Sequence, residues 1–218
     1  MPGATSAPAE LLAFRELTGR PSDRLLVERF ARNCGAEALR ARFFLPPGTD
    51  PQGLHERHLR YLTAGPPEGV GLVALVGGTP VGVLNLVATG PEQAELAVVV
   101  AQRWQRLGIA RRLVDDVRRR GRWTGWTLNV LLQWENIAGR GFVQSLPGPR
   151  RTLSVEYGCI EQEIHPFEFA PTAELSPTET GPRRSVPAPA QVRGRLVQPA
   201  RREQTRAYGQ ATDGRSLA

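Results

Sequence analysis

The chain has no lysine; all 28 basic residues are arginine. With its many Ala, Gly and Pro, this looks like the codon bias of a GC-rich genome. Aromatic residues make up only 6% of the chain against 40% hydrophobic, so aliphatic side chains must fill most of any core. There are two cysteines, Cys34 and Cys159, far apart in sequence. That excludes a disulfide framework and paired CxxC metal or redox motifs, and points to a reducing compartment. Met1 to Leu12 has no cationic stretch followed by an apolar one, so no secretory signal is expected. The most apolar stretch, Val70 to Ala88, is broken by Gly77, Gly78, Pro80 and Gly82, a cluster that a membrane helix would not carry. The expectation is a soluble, cytoplasmic protein.

What remains is a basic chain of 218 residues with net charge +7, long enough for one domain plus an extension. A basic balance suits nucleic acid, a membrane surface or a phosphate-rich small ligand. The composition shifts near residue 165. Beyond it the chain is rich in Pro, Arg, Ser, Thr and Gln, with few large apolar residues. Such a segment cannot bury enough apolar area to offset its ordering entropy. The reading is a folded domain over 1–165 and a disordered tail over 166–218.

Within 1–165 the pattern is mixed α/β. Leu11 to Leu17 suits a strand. Pro21, Ser22 and Asp23 open a helix that runs to about Asn33, where Gly35 follows. Ala36 to Phe44 and His55 to Leu62 suit short helices. Val70 to Val76 and Pro80 to Val87, joined by Gly77-Gly78, form a hairpin, and Glu92 to Val100 a further strand. Gly108 to Arg120 carries apolar residues at 110, 113, 114 and 117, the stripe of a helix packed on a sheet. Trp126 to Gln133 is a strand and Asn136 starts a helical stretch. That stretch contains Ala138-Gly139-Arg140-Gly141, a poor helix former expected to be irregular. Thr152 to Glu156 and Ile160 to Ile164 flank a last turn at Tyr157-Gly158-Cys159.

The informative segment is Ala94 to Val114, AELAVVVAQRWQRLGIARRLV. A strand ends, a short polar linker follows, and a helix begins. Backbone N–H groups at a helix start lack intrahelical partners, and the dipole there favours negative charge. Gly108 permits close backbone approach, and Ala110 is nearly as small. Arg103, Arg106, Arg111 and Arg112 add cations. The combination suits a diphosphate.

The run Gln105 to Ala110, QRLGIA, resembles the Q/R-x-x-G-x-G/A signature of the GNAT N-acetyltransferases, and AELAVVV resembles that family's fourth strand. The element order is similar over roughly residues 9 to 165. Arg42-Phe43-Phe44 is similar to an R-F-F motif of bacterial members, including protein-lysine acetyltransferases. The resemblance implies an α/β (α+β) fold: a mixed, mostly antiparallel sheet of six to seven strands flanked by about four helices. It implies acetyl-CoA as co-substrate, a primary amine as acceptor (a protein lysine or a small molecule), and no metal. Val98, Val99 and Val100 would then offer backbone groups to the pantetheine arm. Gln105, Arg106, Leu107, Gly108, Ile109, Ala110 and Arg111 would hold the diphosphate, and Asn136 would help place the cofactor. Glu95 matches a strand position that often holds the general base. The family's usual acid, a Tyr about seven residues after that Asn, is replaced here by Val143.

Blander readings stand beside these. Asn136 is a good helix N-cap in its own right, and Glu95 could pair with an Arg of a neighbouring strand. Arg118, Arg119, Arg120 and Arg122 suit a solvated helix end. His55 and His58 lack a third ligand for a metal. Cys34 and Cys159 read as buried or incidental. Trp123, Trp126 and Trp134 read as core, although one could line a cleft. The tail's Arg residues could touch nucleic acid, but it also holds five acidic residues and lacks stacking aromatics. The same fold could also serve as an acyl-CoA-binding regulatory module with little turnover.

Overall fold

A computed structural model describes residues 12–45, 62–63 and 69–165. The expected helix over 55–62 and the tail over 166–218 lie outside the described residues, Leu62 apart. The elements run β1 (Leu12–Glu16), α1 (Pro21–Asn33), α2 (Ala36–Phe43), β2 (Gly69–Val76), β3 (Thr79–Gly90), β4 (Gln93–Val100), α3 (Ile109–Arg119), β5 (Thr127–Gln133), α4 (Ile137–Ser145), β6 (Arg150–Glu156) and β7 (Cys159–Ile164). The strands form a seven-stranded sheet in the order β1-β2-β3-β4-β5-β7-β6. All pairings are antiparallel except β4 with β5. This is the α/β architecture that the sequence implies, with four helices among the described residues.

Alternation along the strands sorts the core into two layers. Leu84, Leu86, Ala94, Leu96, Leu128 and Val130 face α3 and α4. Val73, Val83, Val99 and Ala101 face α1 and α2, where Val27, Phe30 and Leu39 meet them. One turn of α3 lies close to β3: a Cβ on Gly82 would sit 3.3 Å from Ile109 Cγ2 and 3.4 Å from Leu113 Cδ1. The small residue therefore seats the start of α3 against the sheet.

Local signals explain the boundaries. Asp23 in the first turn of α1 accepts from the Arg20 N–H at 3.2 Å and the Thr18 N–H at 2.7 Å, and Arg15 reaches it at 2.7 Å. Two expectations need correction. The buried stripe of α3 begins at Ile109, not Ala110, which is only half-buried. The AGRG stretch is regular helix. Asn136 caps it, its Oδ1 accepting from Gly139 N–H at 2.8 Å, and a Cβ on Gly139 would fall 2.7 Å from the Asn136 amide. Glycine there makes room for the cap, which offsets its poor propensity.

Candidate active site

The fork between β4 and β5 is the central feature. β4 pairs with β3 over almost its whole length, but its register with β5 covers only Gln93↔Thr127, Ala94↔Leu128 and Glu95↔Asn129. Beyond Glu95 the two parallel strands diverge. Ala101 N–H donates to Val81 O at 2.9 Å, which fixes the alternation. Odd-numbered residues of β4 bond to β3; even-numbered ones turn their N–H and C=O toward β5. Thr127 N–H, donating to Glu92 O at 2.8 Å, agrees. Val98 and Val100 therefore aim backbone groups into the gap. Those of Val99 belong to the ladder with β3. A strand with unpaired backbone beside a gap can hydrogen-bond an extended amide-bearing chain.

The wide end of the fork meets the start of α3. Gln105 Nε2 donates to Val100 O at 3.0 Å and ties the linker to the strand end. Arg106 (φ 63°) and Gly108 (φ 75°) both adopt left-handed backbone, and the helix starts at Ile109. Arg112 N–H bonds Gly108 O at 3.1 Å. The N–H groups of Ile109, Ala110 and Arg111 precede that first helical bond, so no helical carbonyl is in register to accept them. Gln105, Arg106 and Gly108 are exposed, and nothing lies within 4 Å of where a Gly108 Cβ would be.

Charge is sorted along α3. Arg118 and Arg119 pair with Asp115 and Asp116 at 3.8 and 3.1 Å, and Arg120 with Asp116 at 2.8 Å and with Glu16. At the other end, among the described residues, no carboxylate lies within ion-pair distance of Arg103, Arg106 or Arg112. Arg111 reaches Asp115 only at 3.9 Å. Uncompensated positive charge thus sits where the helix dipole is also positive.

Glu95 stands at the narrow end of the fork, on the sheet face covered by α1 and α2. Its charged neighbour is Arg42 of α2, not an arginine of a neighbouring strand as the sequence suggested. Burial pulls the Arg42 guanidinium below its ordinary value, and the Glu95 charge opposes that shift. Arg42 Nε is buried without a hydrogen-bond partner. Beside Glu95 the register continues across the sheet through Asn129, Glu163 and Arg151, one from each successive strand. Glu163 accepts from Arg151 Nη2 at 2.7 Å and His165 Nε2 at 2.9 Å, while His165 Nδ1 lies 2.9 Å from the Thr127 hydroxyl. His165 and Arg151 hold the Glu163 carboxyl below the usual carboxylate range, against the pull of burial.

The structure thus gathers Glu95, Val98, Val100 and the stretch Gln105 to Arg111 along one fork. Asn136, three residues beyond the end of β5, caps α4, and its side-chain oxygen is engaged there. Val143 is 0% exposed, packed in the α3–α4 core layer, so no side chain projects from that position. Trp123 is core and packs edge-on against Trp126 at 4.5 Å, whereas Trp134 is 51% exposed. Cys34 is fully buried and Cys159 partly so. His55 and His58 lie outside the described residues. Sequence reasoning missed Arg42 as the partner of Glu95, and missed Asn129, Glu163, His165 and Arg151 as a polar row. The alternation of TLNVLLQ in β5 carries a signal for Asn129: it falls opposite the buried Leu128 and Val130.

A family model described as the acetyltransferase (GNAT) family matches residues 36–125, from the start of α2 through α3 to just before β5. No curated protein matches the chain. Among solved structures, the GNAT domain of S. lividans PAT is similar with a TM-score of 0.58 at 20% identity, covering 72% of this chain and 98% of that one. The PaiA N-acetyltransferase of Thermoplasma acidophilum, solved in complex with coenzyme A, is similar with a TM-score of 0.51 at 12% identity, over 70% and 99%. A GCN5-related N-acetyltransferase from Kribbella flavida gives a TM-score of 0.51 at 18% identity, over 73% and 99%. Likeness at these identities establishes the fold.

Proposed function

We propose that this chain, whose residues 36–125 match the GNAT acetyltransferase family model and whose fold is like that of solved GNAT domains, moves an acetyl group from acetyl-CoA onto a primary amine by direct attack. The acceptor is a protein lysine or a small-molecule amine. The observation that carries the reading is the fork: β4–β5 pairing stops at Glu95↔Asn129, and the gap leads to the exposed, arginine-flanked start of α3. In this reading Val98 and Val100 hold the pantetheine arm by backbone hydrogen bonds. The N–H groups of Gly108 to Arg111 hold the diphosphate, with Arg106 and Arg112 beside it. The thioester then lies near Glu95.

An amine attacks a thioester only when unprotonated. Glu95, beside Arg42, takes a proton from the attacking nitrogen, directly or through one water. Attack on the carbonyl carbon forms a tetrahedral oxyanion, which an unpaired strand N–H can stabilise. Collapse breaks the C–S bond, and solvent protonates the thiolate, since the family's usual acid position is the buried Val143. The proposal places the catalytic domain in residues 1–165, ending with β7 at Ile164. It keeps 166–218 as a tail outside it and sets the reaction in a reducing cytoplasm, in keeping with two free cysteines.

The test is calorimetric titration of acetyl-CoA into the full chain, with Gly108→Glu beside it. Binding by the native chain that the variant loses supports the site. A thiol-release screen with poly-lysine, spermidine and amino-acid amides then reads turnover, with Glu95→Gln as control. Absence of binding by a folded native chain overturns the reading. Binding without turnover for any amine would leave an acyl-CoA-binding regulatory module, the second reading that the buried Val143 favours.

A further inference from the structure

Asn129 Oδ1 is buried and has no hydrogen-bond partner. A buried acceptor left unmet is costly, and most native proteins avoid it. The cost is informative because of where Asn129 sits. It is the last β5 residue in register with β4 and lies directly opposite Glu95, on the same sheet face. Its neighbour on the other side is Glu163. Among the described residues no donor meets it, and Arg42 beside Glu95 likewise keeps a buried Nε without a partner. Glu163 is ionised and, like any carboxylate, only accepts. Arg151 is engaged with Glu163, and His165 with Glu163 and Thr127. An unmet acceptor between two carboxylates, at the narrow end of the fork, calls for a ligand that brings N–H donors.

We infer that Asn129 positions the attacking amine: its Oδ1 accepts one N–H of the acceptor's primary amine while Glu95 takes the other proton. The inference rests on the acyl-transfer reading and adds a residue that positions its primary-amine acceptor. The acceptor arrives as an ammonium between Glu95 and Glu163. After that ammonium gives one proton to solvent, the neutral amine has two N–H groups and a lone pair, and Glu95 takes one of those two protons as the N–C bond forms and the C–S bond breaks. One N–H goes to Asn129 and one toward Glu95, so the lone pair is left to face the thioester carbon. As the N–C bond forms, the nitrogen becomes more positive and its hydrogen bond to Asn129 strengthens, so the contact favours the transition state over the ground state. A secondary amine has one N–H too few to satisfy both groups. The site therefore selects primary amines over their N-methyl counterparts.

The test uses Asn129→Leu, a variant of nearly equal volume that removes the orphaned acceptor. With the best amine from the screen, kcat/KM for the acceptor falls at least ten-fold, KM for acetyl-CoA stays within two-fold, and preference over the N-methylated amine collapses toward unity. The variant's Tm is unchanged or higher, because an unmet buried group has gone. A lower Tm with equal damage to both substrates would mean a structural role and overturn the inference; so would unchanged acceptor kinetics with preference intact. A second measurement does not need turnover. In NMR titrations of n-butylamine with CoA present, the side-chain amide signals absent from Asn129→Leu should shift in the native chain. If they do not move, Asn129 does not touch the amine. Failure of acetyl-CoA to bind would instead sink the acyl-transfer reading, and the butylamine titration would still report on the amine site.

Discussion

Gly108 allows the helix-mouth argument to be tested by setting two effects against each other. Its φ of 75° is left-handed, and nothing lies within 4 Å of a Cβ placed there. Substitution therefore meets no steric wall, and its cost to the fold is the backbone term alone, about 1–2 kcal/mol. In a domain of this size that lowers Tm by roughly 2–8 °C. Gly108→Ala and Gly108→Glu share this cost. The glutamate also places an anion at a helix N-terminus beside Arg106 and Arg112, which returns about 0.3–1 kcal/mol. For folding, then, Glu is no worse than Ala. For ligand binding the order reverses, because the carboxylate competes with the diphosphate for the same N–H groups and repels it. Two unit charges about 4 Å apart at an effective dielectric near 20 interact by about 4 kcal/mol, and solvent exposure of the mouth discounts this to roughly 1–3 kcal/mol. The affinity of Gly108→Glu for acetyl-CoA should therefore fall by about 5- to 150-fold relative to Gly108→Ala. Thermal melts and calorimetry on the two variants give both orders. Equal acetyl-CoA affinity in the two would refute the assignment of the phosphate site, whatever happens to stability.

Glu95→Gln should keep acetyl-CoA affinity and lose about 10²–10⁴-fold in kcat, with partial recovery at high pH where free amine is more abundant; a fall in cofactor affinity instead would make Glu95 a binding residue. Asp23→Asn should lower Tm, because it strips charge from an acceptor of several donors, about 1–3 kcal/mol in all. Burial alone would raise the Asp23 carboxyl, but the Thr18 and Arg20 N–H groups, with the Thr18 hydroxyl and Arg15, hold it below the ordinary value. Its contribution is then full above the unfolded value near 4 and lost as pH falls through the depressed native one. The gap in Tm between native and variant chains should close on acidification from about pH 5 downward, and a gap that stays constant would show that the charge is not what stabilises. Burial pushes the Cys34 thiol up to about 12, so a thiol reagent at pH 8 should modify the native chain at Cys159 alone and both cysteines after denaturation. Prompt reaction of both would place Cys34 outside the core.

What could be read in the sequence was whatever repeats at short range. Leu113, Val114 and Val117 mark the buried face of α3, and the Gly77-Gly78 hairpin and the glycine before α3 announce themselves by chain-local rules. Element order followed, and with it the fold. The phase of α3 was off by one residue because Ala110 counts as apolar in a stripe, whereas close packing against Gly82 selects Ile109. The fate of the AGRG stretch depended on a contact with Asn136 that propensity does not weigh. The fork's chemistry was less legible. Glu95 could be singled out by its strand, but Arg42, Asn129 and Glu163 reach its vicinity from α2, β5 and β7, and only the sheet register sets them side by side.

The same point governs how a net charge of +7 should be weighed. Counted along the sequence, the arginines of α3 and its flanks form one basic block from Arg103 to Arg122, which invites a polyanion such as nucleic acid. In the structure the block divides. Arg118 to Arg120 meet Asp115, Asp116 and Glu16 and contribute little field beyond the surface. Arg103, Arg106 and Arg112 keep theirs, within about one helical turn of unpaired backbone N–H groups. A field concentrated on so small a spot fits a compact diphosphate better than a duplex, whose charges recur along its length and would need partners along the helix. Reversal of Arg119 to glutamate should therefore leave acetyl-CoA affinity within two-fold, whereas the same change at Arg112 should weaken it clearly and flatten its salt dependence. Equal losses at the two positions would mean that the chain responds to total charge rather than to a built site.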